Sequence, residues 1–150
     1  MKILRIQGKN LASIAGEFDI DFTAAPLRSA GIFAICGPTG AGKSTILDAI
    51  CLALFNNMPR TTGIEGTKMP DVGQEFIQQG DRRQILRRGT AEAMAAVEFI
   101  AVDGKSYRSV WRVWRANNKI SGKLQPAELR VYPLGDPSPI TTGISESENK

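Results

Sequence analysis

A chain of 150 residues, 42% hydrophobic and 23% charged, is long enough for one domain with a buried core. The net charge of +4 mildly favours an anionic partner, and the absence of histidine excludes a histidine-based triad or a His-rich metallonuclease centre within this chain. No apolar run approaches the roughly 20 residues of a membrane span, and Lys2, Arg5 and Lys9 interrupt any secretory leader, so a cytoplasmic location is expected.

In chain order, "ILRIQ" near the N-terminus reads as a strand. "EFDIDF" (17–22) reads as a clearer one, because Phe18, Ile20 and Phe22 alternate with Glu17, Asp19 and Asp21. "GKNLASIAG" between them is a turn, which predicts an antiparallel pair. "GIFAIC" (31–36) is a short unbroken apolar run, the pattern of a central strand covered on both faces. "KSTILDAICLALF" then places Ile46, Ile50, Ala53 and Leu54 at helical spacing, with Leu47 and Cys51 broadening the stripe until Pro59 stops it.

"RTTGIEGTKMPDVGQ" reads as a loop and "EFIQQGDRRQILRRG" as a short helix. "AAVEFIAV" and "KSYRSVWRVWR" alternate on either side of Asp103-Gly104, a strong hairpin signal. "AELRVYPLG" is one more strand. The chain from Asp136 to Lys150 is rich in Pro, Ser, Thr and Glu and reads as a frayed tail. Cys36 and Cys51 lie apart in apolar segments and read as buried structural thiols.

Between the apolar strand and the helix, Gly37-Pro38-Thr39-Gly40-Ala41-Gly42-Lys43-Ser44 matches G-x-x-x-x-G-K-[ST] at every fixed position. Glycines let the backbone bring its N–H groups close to phosphate oxygens. The helix that follows points its positive end at the same phosphates. Lys43 is expected to reach the β/γ-phosphates, Ser44 to ligate Mg²⁺, and Thr45 to hydrogen-bond the α-phosphate. The predicted fold class is therefore α/β, a P-loop NTPase.

The order of elements is more specific than the loop. "KILRIQGKNLASIAGEFDIDF", "GIFAICGPTGAGKSTILDAICLALF", "MPR" and "RRGTAEAMAAVEFIAVDGKSYRSVWRVWRA" together resemble the N-terminal part of the SbcC-type ATPases, within the SMC-like, ABC-type DNA-repair family. The resemblance runs from about Met1 to Ala116. It implies the N-terminal lobe of an ATPase head over residues 1–135, with antiparallel strands and a β-hairpin beside the P-loop strand and helix.

It also implies ATP and Mg²⁺ as cofactors, held by Gly37, Pro38, Thr39, Gly40, Ala41, Gly42, Lys43, Ser44 and Thr45. Lys43 carries the catalytic role, and Asn10 matches a position near the nucleotide. Implied partners are a C-terminal lobe that completes the head, a second head in a homodimer, an SbcD-like metal-dependent nuclease subunit, and double-stranded DNA without sequence preference. The family's Walker B strand, catalytic carboxylate and signature motif have no counterpart in this sequence, so nucleotide binding is expected of this chain and efficient hydrolysis is not. An open, apolar sheet edge beside the P-loop strand is expected as well.

"FIAVD" has the form of a Walker B strand, but Asp103 reads as a hairpin turn, and Gln78 and Gln79 read as surface residues rather than a glutamine loop. Arg82, Arg83, Arg87, Arg88, Arg108, Arg112, Arg115 and Lys119 form a basic set open to two readings, a solvated face or contact with a DNA backbone. Trp111 and Trp114 are three apart in a strand and must face opposite sides. Two other functions compete: a self-sufficient small P-loop kinase or GTPase with Asp103 on Mg²⁺, and a non-catalytic DNA- or protein-binding module. No N-K-x-D guanine motif is found.

Overall fold

Acidic residues alternating with Phe18 and Ile20 do build a strand with one wet face. In the computed structural model, which describes residues 1–64 and 66–140, β1 (Lys2–Leu11) and β2 (Ile14–Asp21) form the expected antiparallel pair. The α-helix, α1 (Lys43–Phe55), follows the glycine loop. A small hairpin, β3 (Lys68–Pro70) and β4 (Phe76–Gln78), lies where a loop was expected. Then come β5 (Glu92–Ile100), β6 (Ser106–Trp114) and β7 (Glu128–Pro133). The five longer strands make one antiparallel sheet in the order β2-β1-β5-β6-β7.

The β5–β6 hairpin closes at Asp103-Gly104. Asp103 Oδ1 accepts the Lys105 amide at 3.0 Å, and Gly104 takes φ +79°. The predicted short helix after β4 is reduced to a 3-10 turn, Arg82–Ile85, capped by the Asp81 side chain. Residues 136–140 fold back, with the Ile140 amide donating to Val131 O at 2.8 Å. The rest of the predicted tail, 141–150, lies outside the described residues.

Helix α1 lies on the inner face of the sheet, against β5 above all and also β1 and β6. Small side chains on both sides, Ala49 and Ala53 on the helix and Ala93 and Ala95 on β5, permit close approach, and all four are buried. Leu52, Val97, Trp111, Val113 and Leu129 complete the core around them. The buried face of α1 is Thr45, Asp48, Ala49, Leu52 and Ala53, rotated from the predicted stripe, and Leu47 is left 58% exposed. A helix apolar on nearly every side offers no unique buried face to pattern-reading; alanine spacing against β5 decides it.

The predicted central strand differs most. Residues 31–36 belong to none of the strands among the described residues, and Ile32 is 94% exposed. An apolar run shows that a segment is suited to burial, but its neighbours must come from elsewhere, and both faces of this one stay open.

The helix C-terminus is tied to β6 at two points. Ser109 Oγ, buried, donates to Ala53 O at 2.5 Å. Asn56 takes φ +51° as the C-cap, and its Oδ1 accepts Trp111 Nε1 and Arg82 Nε, each at 3.0 Å. Asn56→Ala is expected to lose about 2–4 kcal/mol, from the left-handed backbone and the orphaned Trp111 N–H. Asn56→Gly keeps the backbone fit and should lose less. Urea unfolding ranks the two; equal losses would contradict the backbone share.

Candidate phosphate-binding site

The loop from Gly37 to Gly42 is closed by a turn in which the Ala41 amide donates to Pro38 O at 3.2 Å. Gly40 and Gly42 take φ +83° and +91°, conformations open to glycine. Gly42 is the N-cap of α1 and supplies no side-chain cap; the helical ladder begins with the Ile46 amide on Gly42 O at 3.2 Å. The amides of Lys43, Ser44 and Thr45 therefore stand at the positive end of the helix without intrahelical acceptors. A Cβ on Gly40 would meet nothing within 4 Å, so the loop has room for a bulky anion on that side. Lys43 Nζ lies over the loop, donating to Gly37 O at 2.7 Å and Pro38 O at 2.8 Å. Ser44 is exposed, whereas Thr45 is buried beneath it. The loop, the lysine and the exposed hydroxyl fit a magnesium-bound polyphosphate.

Behind the loop stands the β1–β2 turn. A Cβ on Gly42 would lie 2.6 Å from Ile14 Cγ1 and 3.3 Å from Ser13 Oγ, so this glycine is required by space as well as by φ. Asn10 is committed to the same turn: its Oδ1 accepts the Gly16 amide at 3.1 Å and its Nδ2 donates to Glu92 O at 3.2 Å.

Sequence reasoning missed Asp48, one helical turn beyond Lys43. It is buried against the Arg60 guanidinium; burial pushes its carboxyl up and Arg60 opposes this. An acid inside the apolar run "TILDAICLAL" was the available signal. Burial, with a smaller contribution from Asp48, also pushes the Cys51 thiol up. Cys36, expected to be buried, is exposed at the entrance to the loop, and Cys51 is half-buried.

Asp103 is a turn residue at the hairpin tip, where it also accepts Tyr107 OH at 2.7 Å. Gln78 is exposed on β4, as expected. Six of the eight basic residues are engaged within the protein. Arg82 bonds Asn56, Arg83 bonds Asp81, Arg87 bonds the carbonyls of Ala12 and Ser13, and Arg108 bonds Gln7. Arg112 pairs with Glu92 at 3.6 Å, and Arg115 is buried on Asp71. Arg88 and Lys119 are exposed. Trp111 is fully buried and Trp114 stands on the opposite, open face.

Beside the loop, Phe22, Leu27, Phe33, Ile35, Leu47 and Ile50 line a groove of about 440 Å³. The Phe22 and Phe33 rings pack against each other there, with centroids 4.9 Å apart.

The AAA domain family matches residues 5–136. The chain is 53% identical over 135 residues to the SbcC component of nuclease SbcCD from Pseudomonas aeruginosa, an alignment covering 89% of this chain and 11% of that protein. The same component from Rhodobacter capsulatus is 53% identical over 126 residues, 83% of this chain and 10% of the relative. A probable DNA double-strand break repair Rad50 ATPase of Aquifex aeolicus is 33% identical over 135 residues, 90% of this chain and 11% of the relative. The chain thus spans about a tenth of the length of these relatives. With a phosphate loop set between an antiparallel sheet and a single long helix, and a match over nearly the whole described chain, it belongs to the AAA domain family of P-loop NTPases, among its SbcC-like members.

Proposed function

We propose that this chain is the nucleotide-binding N-terminal lobe of an SbcC-like ATPase head, in which Gly37–Thr45 cradles Mg·ATP. The observation that carries the reading is the loop itself: a left-handed Gly42 cap, three helix-terminal amides without intrahelical acceptors, and Lys43 Nζ already over the loop. Lys43 exchanges the Gly37 and Pro38 carbonyls for β/γ-phosphate oxygens, gaining charge-assisted bonds. The Ser44 hydroxyl ligates the magnesium ion, and the backbone from Gly37 to Thr45 donates to the remaining oxygens. A bound Mg·ATP supplies the phosphoryl group whose transfer to water drives the complete ATPase; this lobe binds and orients it.

The apolar groove and the unpaired segment 31–36 support a C-terminal lobe as the element that completes the head. Burying Ile32, Phe33, Ile35 and Leu47 would remove four large apolar side chains from water, at about 1.5–3 kcal/mol each. A dimer of such heads, an SbcD-like nuclease and double-stranded DNA are the partners of the whole protein in this reading, in the cytoplasm. The likeness to the SbcC components of SbcCD nucleases supports them. Because most of the basic residues are engaged internally, DNA contact by this lobe would rest on exposed groups such as Arg88 and Lys119. A self-sufficient kinase using Asp103 is disfavoured by that residue's bonds at the hairpin tip.

Calorimetric titration of Mg·ATP and Mg·GTP into the chain and into Lys43→Ala tests the proposal. Saturable ATP binding that weakens about 10- to 100-fold in the variant is expected, the worth of the lost charged hydrogen bonds. Equal affinity in the two proteins, or no binding by a folded wild type, would contradict it.

A further inference from the structure

Two residues with side chains take positive φ in the β1–β2 turn, Asn10 at +52° and Ala12 at +44°. Ala12 has no side-chain hydrogen bond with which to hold that disfavoured conformation, so it must be held from outside. The segment after the 3-10 turn does so. The Ala12 amide donates to Ile85 O at 2.7 Å, and the Arg87 amide donates to Asn10 O at 3.0 Å. Arg87 Nη1 then donates to two consecutive carbonyls, Ala12 O at 3.0 Å and Ser13 O at 2.9 Å. The next residues along, Ser13 and Ile14, are those whose side chains fill the space that a Cβ on Gly42 would need.

We propose that Arg87 is a positioning residue for the phosphate cradle. By holding the Ala12 and Ser13 carbonyls it fixes the turn against which Gly42 is seated, and so fixes the left-handed cap that aims the amides of Lys43, Ser44 and Thr45. This role rests on the reading of Gly37–Thr45 as a nucleotide site, but it acts on the loop before any ligand arrives. A guanidinium suits the task, since it is planar, permanently charged and able to offer two N–H groups from one nitrogen to adjacent oxygens. The half-buried position of Arg87 keeps these bonds from full exchange with water.

Hydrogen exchange on the ligand-free chain, comparing wild type with Arg87→Ala and Arg87→Lys, is the test. In Arg87→Ala, amides of residues 37–45 are expected to exchange roughly tenfold faster while β5 and β6 keep their protection. Arg87→Lys, which keeps a cation with several donors, should fall between the two. Mg·ATP affinity should follow the same order, with a loss of about tenfold in Arg87→Ala.

Loosening confined to residues 10–16, with residues 37–45 unchanged, would overturn the positioning role. So would lost protection of β5 and β6 in both variants, which marks a purely structural residue. If Arg87→Ala alone unfolds, Arg87→Lys carries the same comparison. A folded wild type that binds no Mg·ATP sinks the nucleotide reading instead, and the ligand-free exchange data tell the two failures apart.

Discussion

Gly42→Ala is expected to weaken Mg·ATP binding by at least about 30-fold, corresponding to roughly 2 kcal/mol. Two penalties coincide at this position. The φ of +91° disfavours any residue with a Cβ by about 1–2 kcal/mol. The new methyl would also sit 2.6 Å from Ile14 Cγ1, and overpacking of that kind costs about 1–3 kcal/mol. The chain can relieve both by moving the β1–β2 turn or by unwinding the first turn of α1, and either movement turns the cradle amides away from a common centre. Gly40→Ala is the control. It carries a similar φ, +83°, but its Cβ meets nothing within 4 Å, so its loss should be several-fold smaller. Titration calorimetry on both variants checks this, and equal losses would contradict the role given to the wall behind Gly42.

Arg115→Ala should be the most destabilising single change away from the core, at about 3–5 kcal/mol near neutral pH. Arg115 is 8% exposed and bonds both oxygens of Asp71, at 2.6 and 2.9 Å. It also donates to Gly122 O at 3.1 Å, so it joins the β3–β4 hairpin to the chain after β6. Removing it leaves a largely buried carboxylate without its counter-charge.

The sign of the pH dependence follows from the pair. The Arg115 guanidinium holds the Asp71 carboxyl below the usual carboxylate range, against the opposing effect of burial. That contribution is present above the unfolded aspartate pKa of about 3.9 and is lost as pH falls through the lower folded value. In Arg115→Ala burial is left unopposed, so Asp71 can be protonated at mild acidity and the penalty of the substitution shrinks below about pH 4. Urea unfolding of both proteins at pH 7 and in mild acid reads this directly. A penalty independent of pH would mean that packing, not the charge pair, is what Arg115 supplies.

Much of this architecture was legible in the sequence, for identifiable reasons. The β1–β2 pair, the β5–β6 hairpin and β7 were readable because period-two alternation and an Asp-Gly tip are local signals. The phosphate loop was readable because its spacing is fixed by backbone geometry. The buried face of α1 was misplaced because Leu47, Ile50 and Leu54 compete with the alanines, and only the tertiary partner β5 decides between them. The segment 31–36 was read as a covered strand from composition alone, which carries no information on which strands lie beside it. Arg87 and Asp48 were hidden for a related reason: their partners lie 74 to 75 residues away for Arg87 and 12 for Asp48, beyond any local pattern. The basic set kept two readings open because charge counts do not reveal how many arginines already have carboxylates or carbonyls to hold.

The most direct test of the central claim, a phosphate cradle preformed in this lobe, is amide chemical-shift mapping of the ¹⁵N-labelled chain as Mg·ATP is added. The account predicts saturable shifts centred on Gly37–Thr45, with a smaller set in the β1–β2 turn and none in the β5–β6 tip around Asp103. Shifts centred at Asp103, or no shifts in a folded chain at millimolar Mg·ATP, would contradict it.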